Sequence, residues 1–151
     1  MRTVKNILET KDEQNNSIDP SAMVIDALKK LISVNLSYLV VYENDEFKGI
    51  FSERDYTRKL VLEGRSSRET MVRDVMTTEL PKISLENTVE DCMYLMNTRG
   101  TRYAAAFDDG KFVGIITLHD VLREALASKE HVFDNSLTNS LLNNDESGRI
   151  F

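Results

Sequence analysis

The sequence predicts an α+β protein built from two copies of one unit. Each copy reads as a short strand, a helix, two further strands and a closing helix, so three strands and two helices apiece. Three observations carry this. First, Gly49-Ile50-Phe51-Ser52-Glu53-Arg54-Asp55 recurs as Gly114-Ile115-Ile116-Thr117-Leu118-His119-Asp120, an offset of 65 residues. Second, the same offset aligns the flanking chain: Asp26-Ala27-Leu28 with Asp91-Cys92-Met93, Leu31 with Met96, Tyr38 with Tyr103, Tyr42 with Phe107 and Arg58 with Arg123. Third, Val4-Lys5-Asn6-Ile7-Leu8 matches Val72-Arg73-Asp74-Val75-Met76 at an offset of 68. The three extra residues fall in the polar stretch Lys11 to Asn16, where a surface insertion costs little.

In the first copy, Asp19 is placed to cap a helix with Pro20 at its first position. Val24, Ile25, Leu28, Leu31 and Ile32 recur at three- and four-residue spacing and form its apolar face. Tyr38 to Tyr42 and Phe47 to Phe51 read as strands around the turn Glu43-Asn44-Asp45-Glu46, followed by a helix from Asp55 to about Glu63 with Gly64 as its C-terminal cap. In the second copy, Ser84 is the expected cap of a helix carrying Val89, Met93 and Met96. Tyr103 to Phe107 and Phe112 to Ile116 are the hairpin strands around Asp108-Asp109-Gly110. Val121, Leu122, Ala125 and Leu126 mark the closing helix. The repeats divide the chain into 1–64, a polar linker 65–70, 71–127, and a polar tail 128–151 read as a frayed helix, a disordered end or a partner-contacting segment. Neither copy alone is long enough to bury a good core; two packed sheet to sheet are.

Composition narrows the function. The chain has 151 residues, 41% hydrophobic and 29% charged, which is ordinary for a globular protein. A net charge of −6 argues against a nucleic-acid partner, which needs a basic face. No apolar run approaches a membrane span and no signal-peptide core opens the chain, so the expected location is cytoplasmic with no membrane partner. One cysteine, Cys92, excludes an internal disulfide, and with only two histidines a zinc site is not expected. Cys92 aligns with Ala27, which points to packing of a small residue. No phosphate-binding Gly-Lys loop, zinc-protease helix or nucleophile elbow is present, and no nucleophile–base pair is visible, so no catalysis is expected.

A strand–helix–strand–strand–helix unit ending Gly-apolar-apolar-Ser/Thr-x-x-Asp, in tandem, resembles the CBS domain, named for cystathionine β-synthase. The resemblance runs from about Thr3 to Leu126, and the pair looks like a stand-alone Bateman module. It implies two three-stranded sheets packed with pseudo-two-fold symmetry, a homodimer, and clefts between the repeats for an adenosine derivative: AMP, ADP, ATP, NAD or S-adenosylmethionine. It also implies sensing or regulation of another protein. No cofactor is obligatory on this reading.

The motif suits such a ligand. An aspartate at a helix start can accept both ribose hydroxyls, and a Ser or Thr three residues earlier sits beside helix-start N–H groups that favour phosphate. Ser52 and Asp55 are therefore the candidates in one copy, and Thr117 and Asp120 in the other. The same pattern is a capping box, so each pair also reads as a plain helix start. Arg102 lies in a slot where basic residues contact phosphate in nucleotide-binding members of the family; its counterpart is Ser37, which predicts two unequal sites. Arg54 and its counterpart His119 also read as surface residues of the short helices. The family builds its adenine slot from the chain opening each repeat and from the start of the second strand. That adds Leu8, Glu9 and Ile18 with Leu36, Ser37 and Tyr38 in one copy. It adds Met76, Thr77, Thr78 and Ile83 with Thr101, Arg102 and Tyr103 in the other. For the apolar members and the paired tyrosines, core packing is the competing explanation. The functional alternative is a ligand-free scaffold acting through its dimer surface and tail.

Overall fold

Both hairpins turn on two residues of positive φ. The computed structural model describes residues 2–12 and 15–128. In it, β2 (Tyr38–Glu43) and β3 (Glu46–Ser52) are joined through Asn44 and Asp45 at φ 53° and 62°. The strands β5 (Tyr103–Asp108) and β6 (Lys111–Thr117) are joined through Asp109 and Gly110 at φ 50° and 77°. Two consecutive left-handed residues give the turn whose twist matches that of the strands, and Asn, Asp and Gly tolerate it best. Each hairpin gains a parallel edge strand, β1 (Ser17–Ile18) on β2 and β4 (Lys82–Ser84) on β5. The result is two three-stranded sheets of identical order, β1-β2-β3 and β4-β5-β6.

The packing units do not follow the sequence repeats. One unit is 15–79; the other joins 2–12 to 80–128. The opening helix α1 (Val4–Thr10) buries Val4 and Ile7 in a core with Ile83, Met93, Met96, Ile116 and Val121. Its backbone donates from Val4 to the Asn87 carbonyl and from Lys5 to that of Leu85. In the other unit a 3-10 turn, Val72–Asp74, does the same work for the first sheet, with Val72 donating to Ala22 and Arg73 to Pro20. Val72 and Val75 close a core with Val24, Ala27, Leu31, Leu39, Val41 and Phe51. So the segment that opens each repeat in sequence completes the core of the other repeat's sheet.

Several element boundaries differ from expectation. The helix α2 (Val24–Val34) begins at Met23, not Asp19. Asp19 instead accepts from the Ser21 backbone and hydroxyl, a local turn that competes with the helix. Met23 has no capping side chain, and the helix's first N–H groups go to the carbonyls of Thr70 and Ser67. Likewise α4 (Val89–Arg99) starts at Thr88 rather than Ser84, in a capping box with Asp91; Ser84 donates to the Asn87 side chain. The helix after β3 starts at Glu53 as α3 (Glu53–Asp55), running into a π-helical turn, Tyr56–Val61. The last helix is α5 (Leu118–Ser128). Ile32 and Leu126, expected on apolar faces, are 82% and 81% exposed, since the core-facing rows of α2 and α5 centre on Leu31 and Val121.

The two cores balance volume differently. Ala104 and Ala106 stand on β5 where Leu39 and Val41 stand on β2. The missing volume is returned from the helix, where Cys92, Met93 and Met96 replace Ala27, Leu28 and Leu31. The tail after Ser128 lies outside the described residues. Among the described residues no helix is long and apolar enough to cross a membrane.

Candidate functional site

The hydroxyl–carboxylate pair closes a capping box in both copies. The Ser52 N–H donates to Asp55 Oδ2 at 3.0 Å, and the Asp55 N–H to Ser52 Oγ at 3.3 Å. The Thr117 N–H donates to Asp120 Oδ2 at 2.9 Å, and the Asp120 N–H to Thr117 Oγ1 at 3.0 Å. The next N–H is taken by the slot residue across the hairpin: Glu53 donates to the Ser37 carbonyl at 3.2 Å and Leu118 to the Arg102 carbonyl at 2.8 Å. This corrects one expectation. These helix-start N–H groups already have partners, because the box and the slot carbonyl satisfy them.

Both carboxylates are buried, Asp55 at 3% and Asp120 at 7% exposure. A buried carboxylate persists as an anion only with charge and hydrogen-bond partners. Each has a lysine. Lys59, one turn along the same helix, lies 2.9 Å from Asp55 Oδ1, and the Thr77 hydroxyl donates to the same oxygen at 2.7 Å. For Asp120 the lysine comes from the far end of the sequence. Lys11 donates to Asp120 Oδ2 at 2.8 Å and to the Ile115 carbonyl at 2.8 Å. Arg123 approaches Asp120 Oδ1 at 3.9 Å.

The glycine that opens each motif has a local reason. Ile50 exchanges two backbone hydrogen bonds with Thr77, at 3.0 and 2.8 Å. That brings the Thr77 carbonyl so close to Gly49 that an added Cβ would meet its oxygen at 2.2 Å. At Gly114 the neighbour is the end of a side chain, Leu8 Cδ2, at 2.9 Å.

Around Asp55 the structure gathers Ser52, Arg54, Lys59, Thr77 and Tyr38, the last facing Ser52 in the strand register. Ile18 lies on β1 and is partly buried against that core, Leu36 is half-buried, and Ser37 and Thr78 are exposed. Around Asp120 it gathers Thr117, Lys11, Arg102 and Tyr103, with Tyr103 opposite Thr117. Thr101 bonds through its hydroxyl to the Tyr103 backbone, His119 is exposed on α5, and Ile83 is buried in the core. Burial lowers the readiness of Arg54 to hold its proton, an effect reinforced by Arg58 and opposed by Asp55.

The grouping of the opening segments changes. Thr77 and Thr78 belong with Asp55, and Leu8 with Thr117 and Asp120, because each opening segment packs on the other copy's sheet. Lys11 and Lys59 were missed as partners of the carboxylates. The four-residue spacing of Asp55 and Lys59 was a usable signal for a helical ion pair. Nothing local in the sequence links Lys11 to a residue 109 positions away.

Paired sheets of this order, each ending in a Ser/Thr-x-x-Asp helix start, define a class of tandem α+β modules. The model of the CBS domain matches residues 4–62 and 72–127, and the chain belongs to that family. Among curated relatives, the mitochondrial CBS domain-containing protein CBSX3 of Arabidopsis thaliana is 37% identical over 105 residues, covering 66% of this chain and 51% of its own. YhcV of Bacillus subtilis is 28% identical over 80% of this chain and 84% of its own. The chain spans about half the length of CBSX3 and of MK0525 from Methanopyrus kandleri. Among solved structures, a CBS-domain protein of Burkholderia ambifaria MC40-6 superimposes with a TM-score of 0.77 at 30% identity, over 87% of this chain and 99% of that one. CBSX2, solved in complex with AMP, superimposes with a TM-score of 0.68 at 26% identity, over 86% and 100%.

Proposed function

We propose that the chain is a regulatory module that binds an adenosine-containing ligand (AMP, ADP, ATP, NAD or S-adenosylmethionine) and performs no chemistry itself. The observation that carries this is the repeated buried carboxylate held at a helix start beside a hydroxyl and a basic side chain. A ribose diol can donate two hydrogen bonds to such a carboxylate, and Ser52 or Thr117 can meet a phosphate oxygen. The AMP complex of CBSX2 supports the ligand class. Regulation follows if the ligand prefers one arrangement of the chain over another, since only a difference in affinity shifts an equilibrium.

Calorimetric titration of the full chain with these five ligands and adenosine tests the reading. Binding is expected, with Asp55→Asn and Asp120→Asn each removing one class of sites. No heat from any ligand at millimolar concentration would refute it. That outcome would favour the second reading, a ligand-free interaction scaffold. The full set of partners on Asp55 and Asp120 supports that alternative, because both carboxylates are satisfied by the protein alone.

A further inference from the structure

The two carboxylates differ in what a ligand must displace. At Asp55 the cation is Lys59, four residues along the same helix, whose ammonium also reaches the Met76 carbonyl at 3.3 Å and the Thr77 hydroxyl at 3.2 Å. At Asp120 the nearer cation is Lys11, at 2.8 Å against 3.9 Å for Arg123, and its ammonium also holds the Ile115 carbonyl on β6. That double contact ties down the segment following α1, which has its own helix bonded to Leu85 and Asn87. The chain leaves this unit immediately afterwards, at residue 12. The Lys11 side chain is 22% exposed, so its ammonium is at the margin of the core rather than sealed within it. A lysine there has a flexible stem and three donors, and can re-aim without moving the backbone far.

We propose that Lys11 is a latch that competes with a ribose for Asp120 and, once displaced, turns to the ligand's phosphate. This rests on the nucleotide reading above and adds to it a selectivity and a consequence. The selectivity follows from charge. A ligand with a phosphate gives the displaced ammonium a new anion, whereas neutral adenosine leaves it without one. The Asp120 site therefore discriminates for phosphorylated adenosine through a residue outside the Thr117–Asp120 motif. The consequence is mechanical. Releasing Lys11 from Ile115 loosens the end of the opening segment where the chain passes to the other unit, so occupancy at Asp120 is reported along the backbone.

The test is a titration of AMP and adenosine into the full chain carrying Asp55→Asn, with and without Lys11→Met. The methionine keeps the apolar stem and removes the charge. With Lys11 present, AMP should bind more tightly than adenosine; Lys11→Met should cut that preference about tenfold or more, the scale of one charge-assisted hydrogen bond. Hydrogen exchange adds a readout independent of ligand: the amides of α1 should exchange severalfold faster in Lys11→Met than in the parent. If Lys11→Met changes AMP and adenosine affinity by the same factor, or leaves α1 exchange unchanged, the latch is refuted while the nucleotide reading stands. If neither ligand binds the parent chain, both fail together.

Discussion

Asp55 and Asp120 occupy the same step of the same motif, yet their surroundings are assembled in different ways. The Asp55 site is built from Lys59 one turn away and Thr77 from the segment that opens the second repeat, fastened to β3 by a pair of backbone hydrogen bonds. The Asp120 site takes its cation from Lys11 and packs Gly114 against a leucine side chain rather than a backbone. A repeated sequence thus fixes the capping box and the sheet, but leaves the charge partner free to be recruited from whichever segment lies over the motif. Two copies of one motif can then differ in the segment that supplies the charge partner.

The glycines separate the two copies most sharply. Gly49→Ala should destabilise by on the order of 3 kcal/mol, because a backbone carbonyl cannot retreat without breaking the bridge to Thr77. Gly114→Ala should cost about 1 kcal/mol, since Leu8 can yield by a rotamer change. Urea denaturation of the two variants measures both; equal losses would break the comparison. A smaller contrast lies at the helix starts. Thr88→Ala should cost about 1 kcal/mol through its lost cap, while Met23→Ala, at the matching position, has no cap to lose. Hydrogen bonding from the Thr88 backbone, and secondarily from side chains, holds Asp91 below its ordinary 3.8. Its contribution is therefore complete above that value and is lost as pH falls through the lower, folded one, so an acid titration of Asp91→Asn should be flatter than that of the parent below about pH 4. The smallest effect concerns Cys92 against Ala27. Burial, with Asp91 adding to it, pushes the thiol up to about 12, so native Cys92 should resist iodoacetamide at pH 8 and react once the chain is unfolded. Rapid labelling of the folded protein would show that the second core opens readily around Cys92.

The hairpins were legible because alternation and turn chemistry are local: Asn44-Asp45 and Asp109-Gly110 state their geometry in two residues. The motif was legible because it is repeated. The helix starts at Met23 and Thr88 were not, since Asp19 and Ser84 carry the same capping chemistry but spend it on turns four residues earlier. The exchange of opening segments was hidden for a different reason. Val4 and Val72 are interchangeable in sequence, and which sheet each covers is decided by long-range packing that no window reveals. Lys11 was hidden with them, in a stretch that reads as an inserted loop.

The exchange of opening segments also sets an order of assembly. Residues 15–79 contain every strand and core residue of their unit, so all of that unit's core contacts become available once residue 79 has been made. The first helix of the other unit has no complete core to join until Ile116 and Val121 have been made. The contact between Lys11 and Asp120, 109 positions apart, is therefore a late and long-range pairing, of the kind that slows folding.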